Sequence, residues 1–200
     1  MPIPSALSND KSLLRSQLRQ RRKAVPAALR VRAARVLARL ARRWLRPGLR
    51  VAAYMAVGSE IDAGALIALA RRRGCRVYLP VTPQHGRQLR FAALDEQAGW
   101  RLGRYAIPEP QTGRQQQLLR ATQLDLVFVP LLGFDRDLRR MGQGGGYYDN
   151  TFAFRGHRIR PRLIGLAYQC QQVDALPVDP WDVQLDAVLT ERGICRRRAR

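Results

Sequence analysis

The stretch Asp125-Leu-Val-Phe-Val-Pro-Leu-Leu-Gly-Phe-Asp-Arg-Asp-Leu-Arg-Arg-Met-Gly-Gln-Gly-Gly-Gly-Tyr-Tyr-Asp149 constrains the fold more than any other part of the chain. Its start, Leu126 to Val129, is an apolar run of β-branched and aromatic residues, the pattern of a strand buried on both faces. Pro130 and Gly133 are expected to end that strand. A polar loop bearing Arg139 and Arg140 follows, then Gly142-Gln-Gly-Gly-Gly146, then a helix expected from Tyr147 to about Arg155. Glycines can adopt positive φ and turn backbone N–H groups towards an anion, and a helix start adds a favourable dipole. The two arginines beside the loop can neutralise phosphate oxygens, so the loop reads as a triphosphate cradle or, more plainly, as a connecting loop. No Gly-Lys-Ser/Thr ending is present, so this is not a Walker A loop. A dinucleotide fingerprint would follow its strand directly, whereas here a polar segment intervenes. Any ammonium for phosphates must therefore come from elsewhere in the chain.

Upstream, Ser8-Asn9-Asp10 can cap a helix from about Lys11 to Ala24, with Leu14 and Leu18 on one seam. Lys11, Arg15, Arg19 and Arg22 fall on another face as a cationic stripe, which by itself fits a solvated face equally well. A second helix is expected after Pro26, stopping at Pro47-Gly48. Arg50 to Val57 reads as the first strand, followed by Gly58-Ser-Glu-Ile-Asp62 and a helix over about 63–73. Loops at the carboxyl ends of parallel strands are where open α/β sheets bind ligands, which makes Glu60 a candidate ligand contact. Asp62 reads as a helix cap. Further strands are expected at Cys75–Val81, Leu89–Leu94, Leu163–Tyr168 and Leu185–Leu189. The stretch from Asp95 to Gln117 reads as irregular, made rigid by Tyr105-Ala-Ile-Pro-Glu-Pro110 and lying over a site or a sheet edge. Pro177 to Asp182 offers two carboxylates, and residues 192–200 read as a disordered basic tail. Strands alternating with helices predict a single α/β domain, a Rossmann-like three-layer sandwich with a mostly parallel central sheet. Helices would occupy about 8–46 and the α/β core 50–191.

The 200 residues carry a net charge of +21, which alone would suggest nucleic acid or another polyanion. Yet only Lys11 and Lys23 are lysines, and the arginines are spread through every segment, as a composition bias would leave them. Attraction of an anionic small substrate is the more modest consequence. Cys75, Cys170 and Cys195 have no metal spacing and cannot all pair, which fits reduced thiols in the cytoplasm. No apolar stretch reaches the roughly 18 residues of a membrane span, and the start lacks a secretory pattern.

The chain has two histidines, no Ser-His-Asp set and no His/Cys metal cluster. Serine or zinc hydrolysis is disfavoured. A glycine cradle, many arginines, one isolated early lysine and carboxylates after strands suit phosphoryl transfer instead, which depends mainly on positioning and charge neutralisation.

The run Val129-Pro-Leu-Leu-Gly-Phe-Asp135 with Arg140-Met-Gly-Gln-Gly-Gly-Gly-Tyr-Tyr-Asp149 resembles the signature of the 5-formyltetrahydrofolate cyclo-ligases. Lys11-x-x-x-Arg15, Tyr54 to Glu60, Ile107-Pro-Glu-Pro110, Ile164-Gly-Leu-Ala-Tyr168 with Gln169, and Leu176 to Asp182 with Asp186 match in the same order. The resemblance spans about residues 10–191. It implies conversion of 5-formyltetrahydrofolate to 5,10-methenyltetrahydrofolate with ATP and Mg²⁺. The formyl oxygen takes the γ-phosphoryl, N10 closes the ring, and phosphate leaves with ADP formed.

By that resemblance, Lys11 and Arg15 reach the phosphates and substrate from the first helix. Arg140, Met141, Gly142, Gln143, Gly144, Gly145, Gly146, Tyr147 and Tyr148 cradle ATP, with Lys11, Arg140 and Tyr148 in catalytic roles. Asp149 and Asp182 match the Mg²⁺ positions. Arg15, Met55, Glu60, Tyr105 and Tyr148 match places that touch the folate, with Glu60 suited to the pterin N–H donors. The expected partners are these small molecules, with neither membrane nor nucleic acid, and the chain is expected to act as a monomer. A polyanion-binding protein on a similar scaffold is the alternative, supported by charge alone. The sequence departs from the family pattern at Leu138 (a frequent glycine), Asn150 (often Arg) and Trp181 (often His), which makes the loop geometry there an open point. Tyr105 stands where other aromatics or glycine occur.

Overall fold

A computed structural model describes residues 5–95, 99–111 and 118–197, with side chains from residue 10 onward. Helix α1 (Ser5–Lys23) and helix α2 (Ala27–Ala41) precede strand β1 (Arg50–Ala52), helix α3 (Gly64–Arg72) and strand β2 (Arg76–Val81). Then come β3 (Arg90–Ala93), the short β4 (Trp100–Leu102) and β5 (Pro108–Pro110), and β6 (Leu126–Pro130). The chain ends with β7 (Gly133–Phe134), β8 (Arg140–Met141), α4 (Tyr147–Phe152), β9 (Arg162–Leu166), β10 (Ala187–Thr190) and β11 (Gly193–Cys195).

Seven strands form the main sheet in the order β11-β10-β9-β6-β1-β2-β3. The five inner strands run parallel, and only the edge strands β3 and β11 are antiparallel. Side chains alternate across the pleat, so each strand feeds two cores. Val51, Val77, Leu126, Phe128 and Ile164 pack under α2 and α3. Ala52, Tyr78, Val127, Val129 and Leu163 face the opposite layer with Phe91 and Phe152. The expected α/β sandwich is therefore the observed fold. The chain leaves β1 to one side for β2 and reaches β6 on the other, so the strand order reverses between β1 and β6. Ligands of open α/β sheets bind at such a switch point.

Five expectations change. The first strand stops at Ala52 rather than Val57. Helix α1 begins at Ser5, so Ser8 to Asp10 lie within it rather than capping it. Ala6 and Leu7 are strong helix formers and extend the turn upstream. The stretch after Asp95 contains a hairpin, β4 paired with β5, despite its prolines. Edge position spares Pro108 and Pro110 from donating to a further strand. Glu109 between them is buried and staples the hairpin to the sheet, accepting from the Thr82 N–H at 2.9 Å and pairing with Arg101 at 3.3 Å. The tail expected from 192 instead adds β11, with Ile194 opposite Leu189 and packed on the core. Arginines at 192, 196 and 197 hide that short apolar strand in composition, and residues 198–200 lie outside the described part. The fifth change is at the end of α4, where the helix gives way to a 3₁₀ turn, Ala153–Gly156.

Gly165 in β9 shows how tightly the layers close. A Cβ there would lie 2.7 Å from Leu131 Cδ2 and 2.8 Å from Leu185 Cδ1. Gly165→Ala is expected to destabilise the fold by about 1–3 kcal/mol through overpacking. Chemical denaturation measures this, and an unchanged midpoint would show that the layers can give way.

Candidate active site

The carboxyl ends of β1, β2 and β6 open into a cavity of about 870 Å³. Its walls come from α1, the loop after β1, the β2–β3 loop, the β4–β5 hairpin, the glycine loop and the 177–182 loop. Of the residues proposed from sequence, Lys11, Arg15, Met55, Glu60, Tyr105, Arg140 to Asp149, and Asp182 line it, and Arg139 does not.

Helix α1 lies across the mouth because its apolar seam packs on the β7–β8 hairpin. Leu18 is fully buried with Leu132 and Met141, and a Cβ on Gly133 would meet Leu18 at 2.5 Å. This docking turns the cationic stripe inward rather than to solvent. Lys11 Nζ pairs with Asp179 at 2.6 Å, and Arg15 Nε donates to the Gly142 carbonyl at 3.3 Å. Arg19 donates to Gln143 Oε1 at 3.1 Å. Arg22 is buried and donates to Ser59 Oγ at 3.0 Å and to the Leu131 carbonyl at 3.4 Å, while Glu60 sits 3.7 Å away. Burial lowers its guanidinium pKa, and Glu60 opposes that shift.

Burial in turn raises the Glu60 carboxyl, against the Val57 N–H, Arg22 and a Gln143 hydrogen bond, which favour the carboxylate. Asp62 is not the helix cap expected from sequence: the N-cap of α3 is Ala63, and Asp62 one residue earlier closes a turn, its Oδ1 accepting from the Gly64 N–H at 2.9 Å. In the loop itself, Gly144 and Gly146 have φ of 105° and 67°, conformations that a side chain would strain.

The preceding turn is built by Asp135, which is buried. Its Oδ1 accepts from the N–H groups of Asp137 and Arg139 at 2.9 and 3.0 Å. Leu138 keeps the left-handed conformation, φ 62°, that a glycine would adopt there. A leucine in that region costs of the order of 1–2 kcal/mol, which full burial of its side chain offsets. The loop path at Leu138 is thus one that glycine could also follow.

The turn sends its two arginines different ways. Arg140 enters the cavity, with Nη2 on Asp149 Oδ1 at 2.7 Å and Nη1 donating to the Val183 carbonyl. Arg139 does not. It stays beside Asp137 and Asp135 at 3.7 and 3.9 Å, so the expectation that both arginines serve the cradle is corrected. Consecutive residues on an extended segment point to opposite faces, and only one can face the cavity.

Asp149 Oδ1 also accepts from the Val183 N–H at 3.1 Å. Asp182 Oδ2 accepts from the Asp179 N–H at 2.8 Å. Burial raises the Asp182 carboxyl, with Asp149 and Asp179 adding to the rise and Lys11 opposing it. The acidic groups therefore feel one another across the site. Among the described residues no cluster of three or more His, Cys, Asp or Glu forms a ready-made metal cage.

Tyr148 stacks on Phe152 with centroids 6.1 Å apart, and burial pushes its hydroxyl well above the usual phenol range, which keeps it a donor. Tyr147 turns towards the hairpin, its hydroxyl 3.2 Å from that of Tyr105. Sequence reasoning did not single out Arg87 or Ser59, and it noted Asp179 only as one of two carboxylates in its loop. Arg87 follows a strand end, the signal that could have marked it.

The family model for 5-formyltetrahydrofolate cyclo-ligases matches residues 7–191. The Escherichia coli K12 5-formyltetrahydrofolate cyclo-ligase is 37% identical over 141 residues, covering 70% of this chain and 76% of that protein. The Mycolicibacterium smegmatis cyclo-ligase is 32% identical over 202 residues, covering 94% and 97%. The solved 5,10-methenyltetrahydrofolate synthetase of Aquifex aeolicus superposes with a TM-score of 0.73 at 26% identity, covering 95% and 94% of the two chains. Matched over nearly its whole length and carrying the Arg140–Asp149 signature at the mouth of its sheet, the chain belongs to the 5-formyltetrahydrofolate cyclo-ligase family.

Proposed function

We propose that the protein converts 5-formyltetrahydrofolate to 5,10-methenyltetrahydrofolate with ATP and Mg²⁺, as a cytoplasmic enzyme. One observation carries the reading. Cations from separate segments, Lys11, Arg15 and Arg140, meet the glycine loop in a single cavity that also holds Glu60.

An N-formyl group is amide-like, so its oxygen leaves poorly until phosphorylated. The oxygen takes the γ-phosphoryl of ATP, N10 attacks the activated carbon, and phosphate departs. Lys11, Arg15 and Arg140 supply positive charge where the phosphoryl moves, which is the main requirement of such a transfer. Glu60 accepts from the pterin N–H groups, and Met55 and Tyr105 line the folate side. Tyr148, held protonated, donates a hydrogen bond near the junction of the two ligands.

Asp149 and Asp182 are the residues suited to hold Mg²⁺. They are hard oxygen donors whose mutual repulsion a cation would relieve. Two carboxylates suffice, because phosphate oxygens and water complete an octahedron. The ion would neutralise phosphate charge. Asp149→Asn and Asp182→Asn are each expected to raise the Mg²⁺ concentration for half-maximal rate several-fold. Titrations that overlay the wild type in both variants would remove the site. The proposed function itself is tested by coupling ADP release to a second reaction. ADP should form only when 5-formyltetrahydrofolate is present, and folate-independent or absent ADP release would reject it.

A further inference from the structure

Two guanidinium groups flank the triglycine segment, and only one of them has been accounted for. A Cβ on Gly144 would meet Arg15 Cζ and Nε at 3.8 Å, whereas a Cβ on Gly146 would meet Arg87 Nη1 at 3.5 Å. Arg87 comes from a different element, the loop between β2 and β3, at the carboxyl edge of the sheet. Its residue is exposed and lines the same cavity. No carboxylate among the described residues forms an ion pair with it, unlike Lys11 and Arg140, which hold Asp179 and Asp149.

The loop that carries Arg87 is fixed rather than loose. Buried Thr151, on α4, accepts from the Leu89 N–H at 2.9 Å, and its hydroxyl proton can reach the Tyr147 carbonyl at 2.5 Å or the Arg87 carbonyl at 3.4 Å. The backbone of the arginine and the helix that follows the glycine loop are thus held together by one side chain. An unpaired guanidinium held over a glycine turn in a ligand cavity is arranged to receive an anion.

We propose that Arg87 is a further binding residue for the phosphates of the nucleotide, serving the Gly146 end of the loop as Arg15 serves the Gly144 end. This rests on the ATP-dependent reading above. Asn150 offers a direct check of position, because its Nδ2 lies 3.5 Å from the same Cβ point as Arg87 Nη1. An arginine placed at 150 can therefore bring a guanidinium to the same place from the helix.

The test uses the full chain and a non-hydrolysable ATP analogue with Mg²⁺, titrated calorimetrically. Arg87→Ala should raise the dissociation constant on the order of 10-fold or more, as loss of a charge-assisted contact does, with the melting temperature unchanged. Arg87→Ala/Asn150→Arg should recover part of the loss. Arg35→Ala, an exposed arginine on α2, removes the same net charge at a distance and should bind as the wild type does. A value for Arg87→Ala within twofold of the wild type, an equal loss in Arg35→Ala, or no recovery in the double variant overturns the assignment. Wild-type protein that binds no ATP analogue would instead overturn the reading on which it rests.

Discussion

Arg140→Ala is expected to lower kcat/KM for ATP by roughly a hundredfold or more, the largest effect of any single replacement in the cavity. The Arg140 side chain is only 5% exposed and joins three segments: its own strand β8, Asp149 on α4 and the Val183 carbonyl. Removing it subtracts the cation that the proposed function sets against the phosphates and leaves Asp149 facing the cavity without its partner. Asp149 would then repel the very phosphates the site must hold. Because Asp149 is itself 24% exposed, water can solvate it in part. The stability cost should therefore be about 1–3 kcal/mol rather than that of a fully buried orphan. Arg140→Lys retains the charge but not the two-armed grip and should recover only part of the rate. Steady-state kinetics beside thermal melting separates these losses, and a folded Arg140→Ala protein with unchanged kcat/KM would contradict the assignment.

Lys11→Ala is expected to reduce kcat/KM for ATP on the order of 10- to 100-fold while hardly moving the melting temperature. Its ammonium pairs with Asp179 at 2.6 Å, and both side chains keep some access to water. A pair of this exposure adds little to stability. Asp179→Asn distinguishes the two roles the pair allows. If Lys11 matters only by holding Asp179, removing either partner should give the same loss. The phosphate role predicts instead that Asp179→Asn frees the ammonium and leaves ATP use much closer to the wild type. Equal losses in the two variants would refute that role for Lys11.

What could be read from the sequence was short in range. The 126–129 run, the Gly142–Gly146 loop and the alternation of strands with helices each announce themselves within a few residues, and the sheet follows from them. The direction of the α1 stripe could not be read that way. Spacing places Lys11, Arg15, Arg19 and Arg22 on one face, but Leu18 packing against Leu132 and Met141 decides that this face looks into the cavity. Arg140 and Arg139 are chemically alike in sequence, and only the Asp135 turn separates their directions. The carboxylates at 149, 179 and 182 meet because β6 and β9 are neighbours, a contact between distant segments. Where arginine is this abundant, a functional one such as Arg87 carries no compositional mark. The same abundance made the β11 segment read as tail. Leu138 was legible as a departure from glycine, yet only the backbone shows that the left-handed turn survives it.

The central claim is that this cavity closes the folate ring at the expense of ATP. The most direct measurement is the growth of 5,10-methenyltetrahydrofolate absorbance after mixing the purified protein with 5-formyltetrahydrofolate, ATP and Mg²⁺. The account predicts growth that requires all three and is nearly lost in Arg140→Ala. Absence of methenyltetrahydrofolate with folded wild-type protein, or its formation without ATP, would contradict it.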